Sequence, residues 1–365
     1  MTQVVKLYHV IRSAHLERIR SDSSTTLLYV TRRYDFDPSM ATGVDLRKRG
    51  VLGGFWFALL NDIDVLEINE PLMLVAAPRT LATILGTRLR SSFLRREAAK
   101  VVTYAIENKD PRGMIPALPI RSRCKWWFLS RIVPWVWRSI DRIAFGTEGS
   151  AQLYGAMFSL EAWPDSQVIS AVPAPDHDTL RTDIARDFVV AFLGDLAPRK
   201  GFPLVADAWG TIAASVVGAH LLVIGKGSGE SAARELAASD PNVELHIDPP
   251  REQIIPLLSR AKVLVLPSQP TPRWREQVGL PIVEGLSVGC EIVTTTETGI
   301  ADWLEGNGHR VLSVPTLVPA LAEAVITALH DNRGPARILA SLPSVDGRRS
   351  AEDWLFSGLL QMRGR

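Results

Sequence analysis

Two carboxylates, a pair of cations and a glycine-rich turn are the features of this sequence best suited to chemistry. The stretch REQVGLPIVEGLSVG (275–289) sets Glu276 and Glu284 eight positions apart in an otherwise apolar run. Carboxylates held at a strand end accept hydrogen bonds from hydroxyl-rich ligands, as they do from ribose in dinucleotide sites. The alternative is a loop glutamate in solvent and a helix glutamate acting as a cap, and spacing leaves both open. Gly279 frees a turn, Pro281 suits a first helical position, and Gly289 suits the cap that ends a short helix. Glu284 then falls in that helix's first turn, where the dipole tolerates a carboxylate.

A second candidate is FLGDLAPRKGF (192–202). Gly194 ends a strand, and Arg199-Lys200-Gly201 stands just before a helix. Adjacent cations at a helix N-terminus oppose the macrodipole and cost stability unless an anion arrives, which favours a phosphate site over a neutral loop. A third is the turn VIGKGSGE (223–230) around Gly225. It lacks the full dinucleotide fingerprint and is not the first strand-to-helix turn, so a tight turn without a ligand fits it equally well.

The elements that must position these residues alternate between short β-rich runs and longer helical ones, the pattern of parallel sheets covered by helices. Strands are expected at 25–31, 63–69, 100–107, 141–147 and 166–172. A Pro- and Asp-rich stretch, PAPDHDTLRTDIARD (173–187), reads as an inter-domain linker. A second set of strands follows at 188–194, 219–225, 242–247, 261–268 and 290–296, with helices in FPLVADAWGTIAAS and PREQIIPLLSRA. The segment 350–362 reads as a final amphipathic helix, with Ser350 and Asp353 in a capping arrangement. The fold class is α/β, with two Rossmann-like domains facing an interdomain cleft. The expected domains are 1–175, joined by a C-terminal helix at 348–365 that crosses back, and 186–347.

Composition bounds the function. At 365 residues two domains are the natural division, and 46% apolar with 22% charged residues gives material for large cores. Two distant cysteines, Cys124 and Cys290, make neither a disulfide framework nor a zinc site and suit a reducing cytoplasm. The opening MTQVVKLYHVIRSAHLERIR reads as no signal peptide, and its Val4, Leu7, Tyr8 and Ile11 fall at helical spacing. The longest strong uncharged apolar run, VLGGFWFALL, has ten residues, too few to span a bilayer. Net charge is +2, but residues 1–150 hold 23 Lys+Arg against 14 Asp+Glu, so the front half is suited to an anionic partner.

That basic character peaks in RSRCKWWFLSRIVPWVWRSIDR (121–142), where Trp126, Trp127, Trp135 and Trp137 sit among six cations. Aromatic rings beside cations are what an interfacial membrane anchor uses. Base stacking is the other use, but no nucleic-acid module accompanies the stretch and no nucleic-acid partner is expected. Ordinary packing of a core helix or an acceptor site remains the third reading, with Pro134 interrupting any long helix.

With these residues assembled, the C-terminal half resembles the GT-B nucleotide-sugar glycosyltransferases, specifically the retaining enzymes of glycosyltransferase family 4. The likeness runs over about 110 residues, from FLGDLAPRKG through VLVLPS and WREQVGLPIVEGLSVGCEIVTTTETGIADWL. It implies that Glu276 contacts hydroxyls of the donor sugar and Glu284 the ribose of the nucleotide. Backbone groups of Gln277, Val278, Gly279 and Leu280 would face the sugar and diphosphate, with Gly194 and Gly225 nearby. Lys200 would bind the diphosphate and offset charge on the departing nucleotide, stabilising the transition state. Lys200 and Glu276 are therefore the expected catalytic residues. The resemblance also implies a metal-free reaction that retains anomeric configuration, with no cofactor, and the sequence has no Asp-x-Asp motif.

The chain departs from the family pattern at three places. Asp195 stands where the family carries an arginine, with Arg199 as the candidate substitute. Gly53 and Gly54 are candidates, though displaced, for the Gly-Gly loop of the N-terminal domain. The acceptor-side histidine is replaced by Glu107 or Asn108. The expected protein is thus a cytoplasmic glycosyltransferase, peripheral on the inner face of a membrane in one reading, with a glycan or lipid-linked acceptor. The rival is a non-catalytic nucleotide-sugar-binding relative or partner subunit. A nicotinamide enzyme built on GKGSG is disfavoured, because that turn lacks the three-glycine spacing.

Overall fold

The computed structural model describes residues 3–13, 15–16, 25–33, 36–113, 119–158, 163–176, 186, 188–272 and 274–359, the side chains of Arg121, Ser122 and Lys125 excepted. Two compact units make up the chain. One comprises Met1–Gly146, Ser150–Ile169 and Ser350–Arg365; the other comprises Thr147–Gly149 and Ser170–Arg349. Residues 170–175 therefore fall in the second unit. Most of the expected linker, 177–185 and 187, lies outside the described residues.

In the first unit a seven-stranded parallel sheet runs in the order β3-β2-β1-β4-β5-β6-β7. Its strands are β1 (Val4–Ile11), β2 (Thr25–Arg32), β3 (Asp45–Lys48), β4 (Val65–Ile68), β5 (Lys100–Ala105), β6 (Arg142–Phe145) and β7 (Asp165–Val168). Helices α1 (Val51–Leu60), α2 (Ala77–Leu94), α3 (Ile120–Trp137) and α4 (Glu148–Met157) connect them. The helical spacing of Val4, Leu7, Tyr8 and Ile11 misleads: these residues form β1, paired with β2 on one side and β4 on the other. A central strand is covered on both faces, so its apolar residues need not alternate, and chance spacing imitates a helix. Lys6, 2% exposed in the middle of that strand, is neutralised by Glu67 at 3.2 Å and by contact with Glu352.

A six-stranded parallel sheet, β10-β9-β8-β11-β12-β13, forms the second unit. Its strands are β8 (Val189–Leu193), β9 (His220–Ile224), β10 (Val243–His246), β11 (Val263–Leu266), β12 (Glu291–Thr295) and β13 (Arg310–Leu312). Among the helices between them are α5 (Phe202–Ser215), α6 (Glu230–Ser239), α7 (Arg251–Leu258), α8 (Leu280–Ser287), α9 (Ala301–Gly306) and α10 (Val318–His330). The inner strands VVAFL, VLVL and EIVTT are buried at every position, as sheets covered on both faces require.

After α11 (Pro335–Leu339) comes the last helix, α12 (Gly347–Phe356). From Ser350 onward it belongs to the first unit, where Ala351 and Leu355 are buried against Val4, Val65, Val102 and Ala144. Its start differs from the expected Ser350–Asp353 cap. Asp346 accepts from the backbone amides of Arg348 at 2.9 Å and Arg349 at 3.1 Å, so the first turn begins three residues earlier.

Candidate active site

The candidate donor residues gather at the C-terminal ends of the second unit's strands, where helix starts and loop amides face outward. After β8 the chain turns through Gly194, at φ 147°, to the single 3-10 turn Pro198–Lys200. Gly201 follows at φ 77°, and a Cβ there would lie 2.1 Å from the carbonyl oxygen of Pro267. Only glycine lets the cationic turn press so closely on the loop that leaves β11. The Gly225 turn is held as tightly, since a Cβ on Gly225 would lie 1.8 Å from the carbonyl oxygen of Gly194. The two glycine turns thus form one backbone-to-backbone contact rather than separate loops.

The loop after β11 brings back the first carboxylate. Glu276, 8% exposed, accepts from the Lys200 ammonium and from Ser268 Oγ at 3.2 Å. Ser268 is held by its carbonyl, which accepts from Thr295 Oγ1 at 2.6 Å. Trp274 forms a platform beside the pair, with the Arg199 guanidinium 4.7 Å and the Lys200 ammonium 5.0 Å from the ring centroid. Sequence reasoning took Trp274 only as part of a motif; an aromatic two residues before a candidate acid was the available signal for a cation–π partner.

Glu284 lies on α8 and is 8% exposed. The helix starts at Leu280, with Gly279 as its N-cap at φ 87° and Pro281 in its first turn. Glu284 therefore sits in the second turn, not the first, and the dipole does little for it. Burial pushes its carboxyl up, and Arg251, the first residue of α7, pulls it back with an ion pair at 2.7 Å. Gly279 supplies no side-chain cap, Pro281 has no amide hydrogen, and the Ile282 and Val283 amides donate to the Gly279 carbonyl at 2.9 and 3.1 Å. Of the helix's first four residues, only Leu280, 58% exposed, carries an amide that Gly279 does not take up. Gln277 and Val278 lie half-buried on the same loop, and Thr298 Oγ1 donates to the Val278 carbonyl at 2.8 Å.

Asp195 and Arg199, the residue just before Lys200, form an ion pair of 2.6 Å. Arg199 is thus shared between a carboxylate and the Trp274 ring, while Lys200 answers to Glu276. Among the described residues no cluster of three or more His, Cys, Asp or Glu could hold a metal ion.

The expected acceptor-side residues lie in the first unit. Gly53 and Gly54 are inside α1 rather than on a loop. Gly54 is there for packing, because a Cβ would come within 2.7 Å of Thr83 Oγ1 on α2. Glu107 and Asn108 follow β5, and Asn108 is 6% exposed. The sequence reading missed their neighbour Glu70, whose carboxylate accepts from the amides of Ile106 and Glu107, each at 3.0 Å. Burial, with Glu107 close by, pushes the Glu70 carboxyl up to about 7. Tyr154, fully buried, bonds Glu70 and accepts from the Leu72 amide at 3.3 Å.

Two Rossmann-like units of this topology, with the candidate site on the second, define the GT-B fold. Residues 187–331, which contain Lys200, Glu276 and Glu284, match the family described as glycosyl transferases group 1. No curated protein matches the chain in sequence. Solved structures do match in fold. WaaG, a glycosyltransferase involved in lipopolysaccharide biosynthesis, aligns with a TM-score of 0.61 at 14% identity, over 97% of this chain and 100% of its own. Anabaena Alr3699/HepE in complex with UDP aligns with a TM-score of 0.62 at 14% identity, covering 97% and 96%. The lipopolysaccharide outer core galactosyltransferase WaaB aligns with a TM-score of 0.63 at 11% identity, covering 98% and 99%.

Proposed function

We propose that the protein is a glycosyltransferase that moves a sugar from a nucleoside-diphosphate donor to a hydroxyl acceptor, with retention of configuration and without a metal. The observation that carries this reading is the contact between Lys200 and Glu276 beside the start of α8 and the paired glycine turns. A diphosphate at this helix start would be held by Lys200 and the Leu280 amide, and the sugar would lie against Glu276. Glu284 would take the ribose hydroxyls. As the bond from anomeric carbon to phosphate oxygen breaks, the acceptor oxygen bonds to that carbon on the same face. Its proton passes to the departing phosphate oxygen, whose developing charge Lys200 offsets. HepE, solved with UDP and with UDP-glucose, supports nucleoside diphosphates as the ligand class to try first.

The first unit would bind the acceptor around Glu107 and Asn108 and meet an anionic membrane through residues 121–142, which suits work at the inner face of a membrane. Trp127, Phe128 and Trp135 of α3 are 56%, 61% and 64% exposed, and Arg131 lies 4.6 Å from the Trp127 ring. Exposed aromatic and cationic side chains on one helix favour an interface over a buried packing role. No described helix is long and apolar enough to cross a membrane.

One observation favours the second reading, a nucleotide-sugar binder without turnover: Asp195 ties up Arg199, leaving Lys200 as the principal cation. Incubation of the purified protein with a panel of nucleoside-diphosphate sugars separates the two. Release of nucleoside diphosphate, as the sugar passes to water or to an acceptor from a panel of glycans and lipid-linked glycans, supports the enzyme; heat on titration with no release over hours with any of them overturns it in favour of the binder.

A further inference from the structure

Beneath α3 the first unit contains a cavity of about 430 Å3 that the mechanism above does not use. It lies within the roughly 300–1,000 Å3 range of small-molecule sites. From α3 it is lined by Ser130, Val133, Pro134, Trp137 and Arg138, spaced i, i+3, i+4, i+7 and i+8, so a single helix face forms one wall. Leu72, Leu74, Met157 and Phe158 close the other sides. Protein interiors fill such apolar space with their own side chains, and among the described residues none fills this one.

The two ends of the cavity differ. At one end Leu72 leads through the Tyr154 hydroxyl to Glu70, which binds the amides of Ile106 and Glu107. The apolar chamber therefore adjoins the strand-end residues assigned to the acceptor. At the rim stand Arg112, paired with Asp110 at 2.8 Å, and Arg138. No carboxylate among the described residues is in ion-pair range of Arg138. The helix itself carries no Asp or Glu from Ile120 to Trp137. At 100° per residue, the exposed Trp127, Arg131 and Trp135 centre about 100° round the helix from the cavity wall. An exposed aromatic and cationic surface thus borders the chamber.

We propose that this cavity holds the hydrocarbon chain of an anionic amphiphile, its headgroup at Arg138, and that the acceptor is lipid-linked. Eight of the eleven lining residues are apolar, which suits a hydrocarbon chain, and Arg138, with no carboxylate among the described residues in ion-pair range, suits a phosphate-bearing head. The assignment of the amphiphile as acceptor rests on the glycosyltransferase reading; the binding site itself does not.

The test uses the intact protein and a lysophosphatidylglycerol with a brominated acyl chain, kept below its micelle concentration. Trp137, 2% exposed in the cavity wall, should be quenched saturably with one chain per protein. Val133→Phe and Met157→Phe each fill the chamber from a different side and should weaken that quenching at least tenfold with the fold intact by circular dichroism. Arg138→Glu should abolish the preference for lysophosphatidylglycerol over lysophosphatidylcholine. Unsaturable quenching of the wild type, or quenching that survives in whichever filling variant folds, overturns the proposal. No donor is needed, so failure here leaves the diphosphate site untouched. Binding without nucleotide release from any donor would instead overturn the enzyme reading and leave the chamber standing.

Discussion

Lys200 and Glu276, 76 positions apart, hold opposite charges in contact with only 12% and 10% of their side chains exposed. Neither charge is cheap to bury alone, and removing one partner of a buried pair is far more damaging than exchanging the pair. Glu276 is the counter-ion of the cation proposed to meet a diphosphate. A donor would bring its own negative charge to Lys200 and leave Glu276 free to accept from sugar hydroxyls.

The two members of that pair should therefore behave differently when changed. Lys200→Ala should lower turnover by more than tenfold, because about 1.4 kcal/mol of lost transition-state stabilisation already gives that factor. Glu276→Gln should also lower turnover, yet bind free nucleoside diphosphate at least as tightly as the wild type, since Lys200 then has no competing carboxylate. Steady-state rates and calorimetry check both. A Lys200→Ala enzyme with wild-type rate would remove Lys200 from the mechanism.

Glu284 is expected to act on the nucleotide and not on the sugar. Hydrogen bonds to a charged group contribute about 1.5–3 kcal/mol, so Glu284→Ala should weaken nucleoside diphosphate binding roughly 10- to 150-fold. Binding of a ribose-free diphosphate should be little altered. Equal losses for both ligands would make Glu284 a structural residue that serves Arg251.

Gly201 fixes the position of Lys200 by allowing contact with Pro267. Gly201→Ala adds left-handed strain of about 1–2 kcal/mol to a direct clash with the Pro267 carbonyl. Thermal melting should register a loss of at least about 2 kcal/mol, and donor turnover should fall with it. A variant with unchanged stability would mean the cationic turn can move away from the β11 loop.

How much of this was legible beforehand differs by element. The inner strands of both sheets except β1 read clearly, because continuous apolar runs between glycine and proline punctuation have few other meanings; β1 was hidden by apolar residues that happen to fall at helical spacing. Edge strands β3 (DLRK) and β13 (RVL) did not, being too short for periodicity and half-exposed or more. Helix α3 runs through Pro134, contrary to the expected interruption, and the Arg138 amide that caps it donates to the Pro134 carbonyl at 3.1 Å. The carboxylates of the site were visible as residue types, whereas their partners were not. Arg251 and Glu284 are 33 positions apart, and Glu70 and Glu107 are 37 apart. Pairings of that range are set by strand order, which no local pattern encodes. Gly53 and Gly54 show the converse error, since a glycine pair signals close approach without saying whether a ligand or a helix approaches.

Docking on a membrane should depend on charge as well as on aromatic rings. Cations near an anionic surface contribute about 1 kcal/mol each, so the double change Arg131→Ala and Arg138→Ala should weaken vesicle binding about 30-fold. Co-sedimentation with phosphatidylglycerol vesicles at low salt measures this, and raising the salt should release the wild type. Trp127→Ala with Trp135→Ala should reduce binding at both salt concentrations. Failure of the wild type to bind at low salt would overturn the membrane surface.

Acid should weaken the second unit through His309. This residue is 5% exposed, and its Nδ1 accepts from the Ile292 amide at 3.2 Å and from Arg333 Nη2 at 2.8 Å. A ring nitrogen with two donors aimed at it must keep its lone pair, so the folded state favours neutral imidazole. Burial, aided by the Arg333 charge, lowers the group to about 3. An unfolded histidine takes up its proton near pH 6.5, so the stabilising contribution is complete above that value and lost as pH falls towards about 3. At pH 5 the loss should be about 2 kcal/mol. The carboxyls of Glu284 and Glu291 are raised by burial and act in the opposite direction, favouring the folded state as pH falls. The decisive quantity is therefore the difference between wild type and His309→Asn, measured by denaturant unfolding at pH 7.5 and pH 5. The variant should be less stable at pH 7.5 yet lose less on acidification, and parallel losses in the two proteins would show that His309 is not the group that titrates.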